Sequence, residues 1–212
     1  MAKRPEMAIV KGILSYPHLF EKYSMMDSSG NPTGTAAYAC SVVFSKSDTK
    51  TLGELKSAIQ VAVQKGKEKF RWTDATIQSK KFSNPIHDGD EDKVDAKDYE
   101  TMYKGRYVVN CRNTRDMPQV VDINRKPLEE ERDIYAGCLV RVSMSAYPFE
   151  KNGNRGIALS LHNVQKLADG EHLGGGSTSA FDDFDDVDDE TRQEAMDYAA
   201  SAAKDISDLP FL

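Results

Sequence analysis

The chain has 212 residues, 39% hydrophobic and 29% charged, with a formal net charge of −6. That is enough for one well-filled core with residues left over for appendages. No apolar run approaches the roughly 20 residues of a bilayer span. The basic start "MAKRPEMAIVKGIL" lacks the apolar stretch and cleavage site of a secretory leader, so a cytosolic protein with no membrane partner is expected.

In chain order, "MAIVKGILSY" reads as a first strand. "AAYACSVVFS" follows with strict alternation: Tyr38, Cys40, Val42 and Phe44 on one face, Ala37, Ala39, Ser41 and Val43 on the other. "TLGELKSAIQVAVQKG" is a helix. Thr51 and Glu54 have capping-box spacing, Leu52, Leu55, Ile59, Ala62 and Val63 form an apolar stripe, and Gly66 is placed to end it. Between about residues 79 and 104 the composition turns polar and charged, which predicts a long inserted loop between barrel elements.

Strand periodicity then returns. "GRYVVNCRN" sets Tyr107, Val109 and Cys111 against Arg106, Val108, Asn110 and Arg112. A short "QVVDI" follows, and then "CLVRVSMSAY", with Cys138, Val140, Val142, Met144 and Ala146 opposite Leu139, Arg141, Ser143, Ser145 and Tyr147. "GIALSLHNV" alternates Ile157, Leu159 and Leu161 with Ala158, Ser160 and His162. Five or six strands, one helix and no strand–helix alternation predict a mainly β fold: an OB-fold, a five-stranded Greek-key barrel with one helix and a long inserted loop.

From Gly174 the chain changes character. "GGGSTSA" is a flexible linker, and "FDDFDDVDDE" is too self-repulsive to pack. Thr191 and Glu194 again have capping-box spacing and predict a short helix. Residues 181–212 hold nine Asp and two Glu against Arg192 and Lys204, a net −9, which leaves +3 for residues 1–180. The expected organisation is a domain over 1–173 and a flexible linker with a disordered acidic C-terminal tail over 174–212.

Three cysteines, Cys40, Cys111 and Cys138, lie far apart in strand contexts and read as buried thiols. The histidines and cysteines lack metal-ligand spacing, and the aspartate run lacks the glycine and final glutamate of an EF-hand loop. No phosphate-loop, dinucleotide or nucleophile-elbow motif occurs. Neither a cofactor, a metal nor a catalysed reaction is expected.

What remains is cations interleaved with rings. "KGKEKFRW" carries Lys69, Phe70, Arg71 and Trp72; "KKF" carries Lys80 and Lys81; "YKGRY" carries Tyr103 and Arg106. Cations neutralise phosphates while flat rings stack on unpaired bases whatever their identity. Phe70, Trp72, Tyr103 and Tyr147 are the stacking candidates. Lys69, Arg71, Lys80, Lys81, Arg106, Arg112, Arg115, Arg141 and Arg155 are the phosphate candidates. Trp72 reads equally as core or platform. The acidic tail can compete with nucleic acid for the cations, and its apolar end, Asp208, Leu209, Pro210, Phe211 and Leu212, suits capture by a partner protein.

The ending "DISDLPF" resembles the acidic proline-phenylalanine tip of bacterial single-stranded DNA-binding proteins, although Leu212 here follows the phenylalanine. Residues 135–175, "YAGCLVRVSMSAYPFEKNGNRGIALSLHNVQKLADGEHLGG", and 106–122, "RYVVNCRNTRDMPQVVD", resemble a bacteriophage family of single-stranded DNA-binding proteins. The resemblance implies an OB-fold core with an acidic tail that coats unpaired DNA in the cytoplasm of an infected bacterium. It also implies replication or recombination proteins as tail partners, and it leaves a homodimer open. A strand-annealing recombination protein and a DNA-mimicking inhibitor of a host enzyme are the two alternatives.

Overall fold

The structure, a computed structural model, describes residues 4–91, 102–173 and 188–197. The chain divides into two compact units, Met1–Gly174 and Gly175–Leu212. In the first, the strands are β1 (Met7–Met26), β2 (Pro32–Ser45), β3 (Phe82–Ser83), β4 (Ile86–Asp88), β5 (Arg106–Asn113), β6 (Gln119–Val121), β7 (Leu139–Lys151) and β8 (Asn154–Ala168). Two helices, α1 (Thr49–Phe70) and α2 (Asp74–Ile77), lie between β2 and β3.

Alternation builds the barrel. The core-facing positions of β2, β5, β7 and β8 are the apolar ones in the sequence, and a register slip of one residue would turn each set to solvent. β1 pairs antiparallel with β2 and with β7, β2 with β5, and β7 with β8. The ring closes where β5 runs parallel to β8, at Cys111 opposite Leu159 and Arg112 opposite Ser160. This is a closed five-stranded OB-fold barrel. Val10, Leu14, Val42, Val109, Val140, Met144 and Leu159 fill it, fully buried.

The three thiols are buried as expected. Cys40 and Cys111 face each other across β2 and β5 with their Sγ atoms 3.5 Å apart, and the contact with Cys111, reinforced by burial, pushes the Cys40 thiol up. The inserted segment is less loop-like than its composition suggests. Within its described part, β3 pairs with β8 and β4 pairs with β5.

Helix α1 packs on β7 and β1 through Leu55, Ala58 and Ala62, with Leu52, Ile59 and Val63 half-buried beside them. Its start and its end both differ from the expectation. Asp48 is the N-cap: its Oδ1 accepts from the Thr51 amide at 3.0 Å and its Oδ2 from the Thr51 hydroxyl at 2.7 Å. Those bonds hold the Asp48 carboxyl below the usual carboxylate range. The same substitution occurs in the second unit, where Asp188 Oδ1 accepts from the Thr191 amide at 2.7 Å and a helix, α3, covers residues 189–197. In both places the aspartate three residues upstream supplies the cap that the threonine was expected to supply.

Gly66 does not end α1. The helix runs one more turn to Phe70 and stops where Arg71 takes a left-handed conformation, φ 57°. Gly66 is there because the Trp72 ring lies on it: a Cβ at this position would sit 2.2 Å from Trp72 Cζ3. Gly66→Ala is therefore expected to destabilise by roughly 1–3 kcal/mol through overpacking, although alanine is the better helix former by about 1 kcal/mol. A thermal melt checks it, as a fall of several degrees.

Candidate nucleic-acid interface

The outer half of β1 breaks regular pairing, and the break builds a groove. Ser15 lies opposite Ser41, His18 opposite Ala39 and Tyr23 opposite Ala37. Three residues of β1 thus advance against two of β2, and then five against two. Ala37 and Ala39 are two apart, so they share a face of β2. His18 and Tyr23 are delivered side by side onto that face, and their rings stack with centroids 4.2 Å apart and planes 7° off parallel. The surplus residues turn Leu19 into the core. They also let Lys22 Nζ donate to the Thr114 carbonyl at 2.8 Å.

At the first break stands Tyr16, 65% exposed with φ 44° and directly followed by Pro17. A bulky residue at positive φ costs about 1–2 kcal/mol, and a following proline narrows the choices further. The strain holds an aromatic ring outside the barrel.

The floor of the groove is made of small side chains. Thr33, Thr35, Ala37, Ala39 and Ser41 come from β2 and Val108 and Asn110 from β5, with Ser41 Oγ donating to Asn110 Oδ1 at 2.7 Å. Arg112 crosses it, its Nη2 donating to the Thr35 carbonyl at 2.5 Å. His87 of β4, Gly89 and Tyr103 form the far wall, and the groove encloses about 1100 Å³.

That wall is braced from behind. Lys46 bridges Asp88 and Asp90, whose Oδ2 lies 2.6 Å from Nζ, and Asp90 Oδ1 accepts from the Gly105 amide at 3.0 Å. The hydrogen bond from Lys46 holds the Asp88 carboxyl below its ordinary range. Gly89 lets the segment press against Tyr103, whose carbonyl would be 2.4 Å from a Cβ there.

Among the described lining residues no carboxylate appears, and Arg112 is the one permanent cation. A trough with a small-residue floor, ring walls and no negative charge can accept flat bases carried on a polyanionic backbone.

The described candidates named from the sequence fall into four places: the groove, the two ends of β5, the outer face of β7 and the end of α1. Tyr103 and Arg112 line the groove. Arg115 is exposed on the turn after β5, and Arg106 is half-buried with Nη1 donating to the Met102 carbonyl at 3.0 Å. Arg141 and Tyr147 project from the outer face of β7, Arg141 opposite Lys11 and Gln165, Tyr147 40% exposed and opposite Ala158.

Lys69, Phe70, Arg71, Trp72, Lys80, Lys81 and Arg155 gather where α1 ends. The tail residues Asp208, Leu209, Pro210, Phe211 and Leu212 lie outside the described residues, as do residues 174–187.

Trp72 is a correction. It is 5% exposed, enclosed by Gly66, by Phe70 at 5.4 Å and by Phe82 edge-on at 5.0 Å, and its Nε1 donates to Glu150 Oε2 at 2.7 Å. Neither face of the indole is open to a base. Phe70 shares the correction in part, being half-buried against the core and committed to Trp72.

Tyr16, His18, Tyr23 and His87 were missed. The run "SYPHLFEKYS" does alternate rings with a cation, but Pro17 cuts it, and a proline inside a strand pattern argues for a strand end. The small face of β2 was visible in the alternation and was read only as the side away from the core.

The structure is thus a closed OB-fold barrel with an open, ring-walled groove on its β1–β2–β5 face. The comparisons give the family. Residues 7–196 match the model of the Enterobacter phage Enc34 ssDNA-binding protein family, and the chain belongs to that family.

Two solved structures of the single-stranded DNA-binding protein from bacteriophage Enc34 are similar. One, in complex with ssDNA, is 25% identical with a TM-score of 0.59 and covers 82% of this chain and 97% of its own. The other is 24% identical with a TM-score of 0.57 and covers 87% and 97%. No curated protein sequence matches the chain.

Proposed function

We propose that the first unit binds single-stranded DNA without reading its sequence, placing bases against Tyr16, the His18–Tyr23 stack and Tyr103. The observation that carries this reading is the groove itself: five rings, those of Tyr16, His18, Tyr23, His87 and Tyr103, around a floor of small residues with no carboxylate among its described lining. Membership of the phage family supports it, as does the ssDNA complex of the Enc34 protein. Arg112 and the neighbouring Arg115 and Lys22 would meet phosphates at the groove's open end.

The protein would act inside an infected bacterium, in phage DNA replication, recombination and repair, keeping unpaired strands open and protected. Residues 174–212 would serve as an acidic linker and tail, and the division of the chain at Gly174 supports treating them apart. With a net −9 against +3 for the rest, the tail would compete with DNA for the cations. Its end, Asp208 to Leu212, would recruit replication or recombination proteins.

The test is binding of labelled single- and double-stranded oligonucleotides by the full chain and by residues 1–180, at two salt concentrations. Single strands should be retained by both forms, and deleting residues 181–212 should tighten binding at low salt. Weaker or unchanged binding after the deletion would refute the competition. A shortened chain that holds no oligonucleotide at all would sink the groove reading. Pairing of complementary oligonucleotides, measured alongside, separates a coating protein from an annealing one.

A further inference from the structure

The groove is rich in rings and poor in charge, which leaves a question about the other half of the ligand. A single strand carries one phosphate per nucleotide, yet among the described groove residues only Arg112 is a permanent cation. The unpaired positive charge lies elsewhere.

At the end of α1, Lys69, Arg71, Lys80, Lys81 and Arg155 have no carboxylate partner among the described residues, whereas the nearby Lys67 is paired with Asp74 at 2.7 Å. Lys69, Arg71, Lys80 and Lys81 are exposed and Arg155 half-exposed. Trp72 brings them together. Lys69 and Arg71 precede it in the chain, its ring meets Phe82 at 5.0 Å, Lys80 and Lys81 precede Phe82, and Arg155 is the β8 partner of Phe82. Of the carboxylates in their midst, Glu150 is held by the indole Nε1 and Asp74 by Lys67, and Glu68 stands exposed beside Lys69 in the chain. The C-terminal dipole of α1 opposes an anion by about half a charge, against five whole positive ones.

The rings of this region are spent on each other. Trp72 is buried, Phe70 stacks on it and Phe82 meets it edge-on. The surface therefore offers charge without stacking faces, the converse of the groove.

We propose that the end of α1 is a second, phosphate-only surface, which takes the DNA backbone after it leaves the groove, so that bases and phosphates are gripped at different places on the barrel. This rests on the groove reading. It predicts a binding site longer than the groove and a salt dependence set mainly at α1. A backbone phosphate is favoured over an acidic protein because a groove-bound strand already brings its own uncompensated phosphates, whereas nothing on this surface provides the apolar anchor a protein contact requires.

The experiment compares full-length protein with the variant Lys69→Gln/Arg71→Gln/Lys80→Gln/Lys81→Gln on oligo(dT) of about five nucleotides, within reach of one OB groove, and of about 25, beyond it. Each lost phosphate contact lowers the slope of log K against log salt by about 0.7. On the long oligomer the slope should fall by about 2–3 and affinity at low salt by tenfold or more, with less than a twofold change on the short one. Lys80→Arg/Lys81→Arg should retain the parent slope, which separates charge from folding.

Tyr23→Ala should weaken binding of both lengths. Superimposable salt slopes for parent and quadruple variant on the long oligomer would overturn the proposal. So would capture of polyglutamate by the parent but not by the variant with DNA binding unchanged, since the surface would then belong to an acidic partner. If Tyr23→Ala were silent and the quadruple variant lost both lengths, the groove reading would fail and the division of bases and phosphates between two surfaces would fall with it, whereas unchanged salt slopes beside a weakened Tyr23→Ala would sink the second surface alone.

Discussion

Replacing Tyr16 by Asn together with Tyr23 by Ala should lower affinity for a short single-stranded oligonucleotide by at least about thirtyfold while the barrel stays folded. Each base stacked on a ring is worth about 1–3 kcal/mol, so two rings account for at least about 2 kcal/mol, and 1.4 kcal/mol is a factor of ten. Both rings are largely exposed, 65% for Tyr16 and 46% for Tyr23, so the core loses little. Stability should move the other way at Tyr16. Its φ of 44° suits asparagine better than tyrosine, and the single Tyr16→Asn should match or exceed the parent's melting temperature. Affinity falling while stability holds or rises is the signature of a residue strained for binding. Fluorescence anisotropy and a thermal melt on the same samples check both signs. Unchanged affinity in the double variant would remove these rings from the site.

Trp72→Ala should do the reverse. Truncating a buried tryptophan costs about 3–5 kcal/mol, and here it also leaves Glu150 without its donor and uncovers the space above Gly66. The urea midpoint should fall accordingly, which for a domain of ordinary stability is a large part of the total. The affinity of the protein that remains folded for a short oligonucleotide should change less than twofold. Indole fluorescence should not respond when a short oligonucleotide fills the groove. Strong quenching by that oligonucleotide would return Trp72 to the binding surface and contradict its enclosure by Phe70 and Phe82.

These two residues show where sequence reading succeeded and where it failed. Trp72 sits in the densest cationic run of the chain, "KGKEKFRW", and composition alone leaves it equally a platform or a core residue. Its burial follows from a glycine six residues earlier, a phenylalanine ten residues later and a glutamate 78 residues away. Tyr23 sits in a stretch cut by Pro17, and its partner His18 is five residues away, a spacing that neither a regular strand nor a helix brings face to face. Only the unequal advance of β1 against Ala39 and Ala37 stacks them. The caps failed more narrowly. Asp48 and Asp188 each lie three residues before the threonine that was expected to cap, so an adjacent and stronger signal was passed over.

Alternation of apolar and polar residues was enough to specify the strands β2, β5, β7 and β8 with their inward sets, the buried thiols and the OB class, and the first half of β1 and the short β6 were legible as strands, because side-chain direction in a strand depends only on position along it. The charge division between residues 1–180 and 181–212 was likewise written in the composition. Which rings remain open to a ligand was decided by the folded barrel. Exposure of a ring depends on what lies across the sheet or beyond the helix end, and those neighbours are set by register, bulges and close backbone approach, which no local pattern carries.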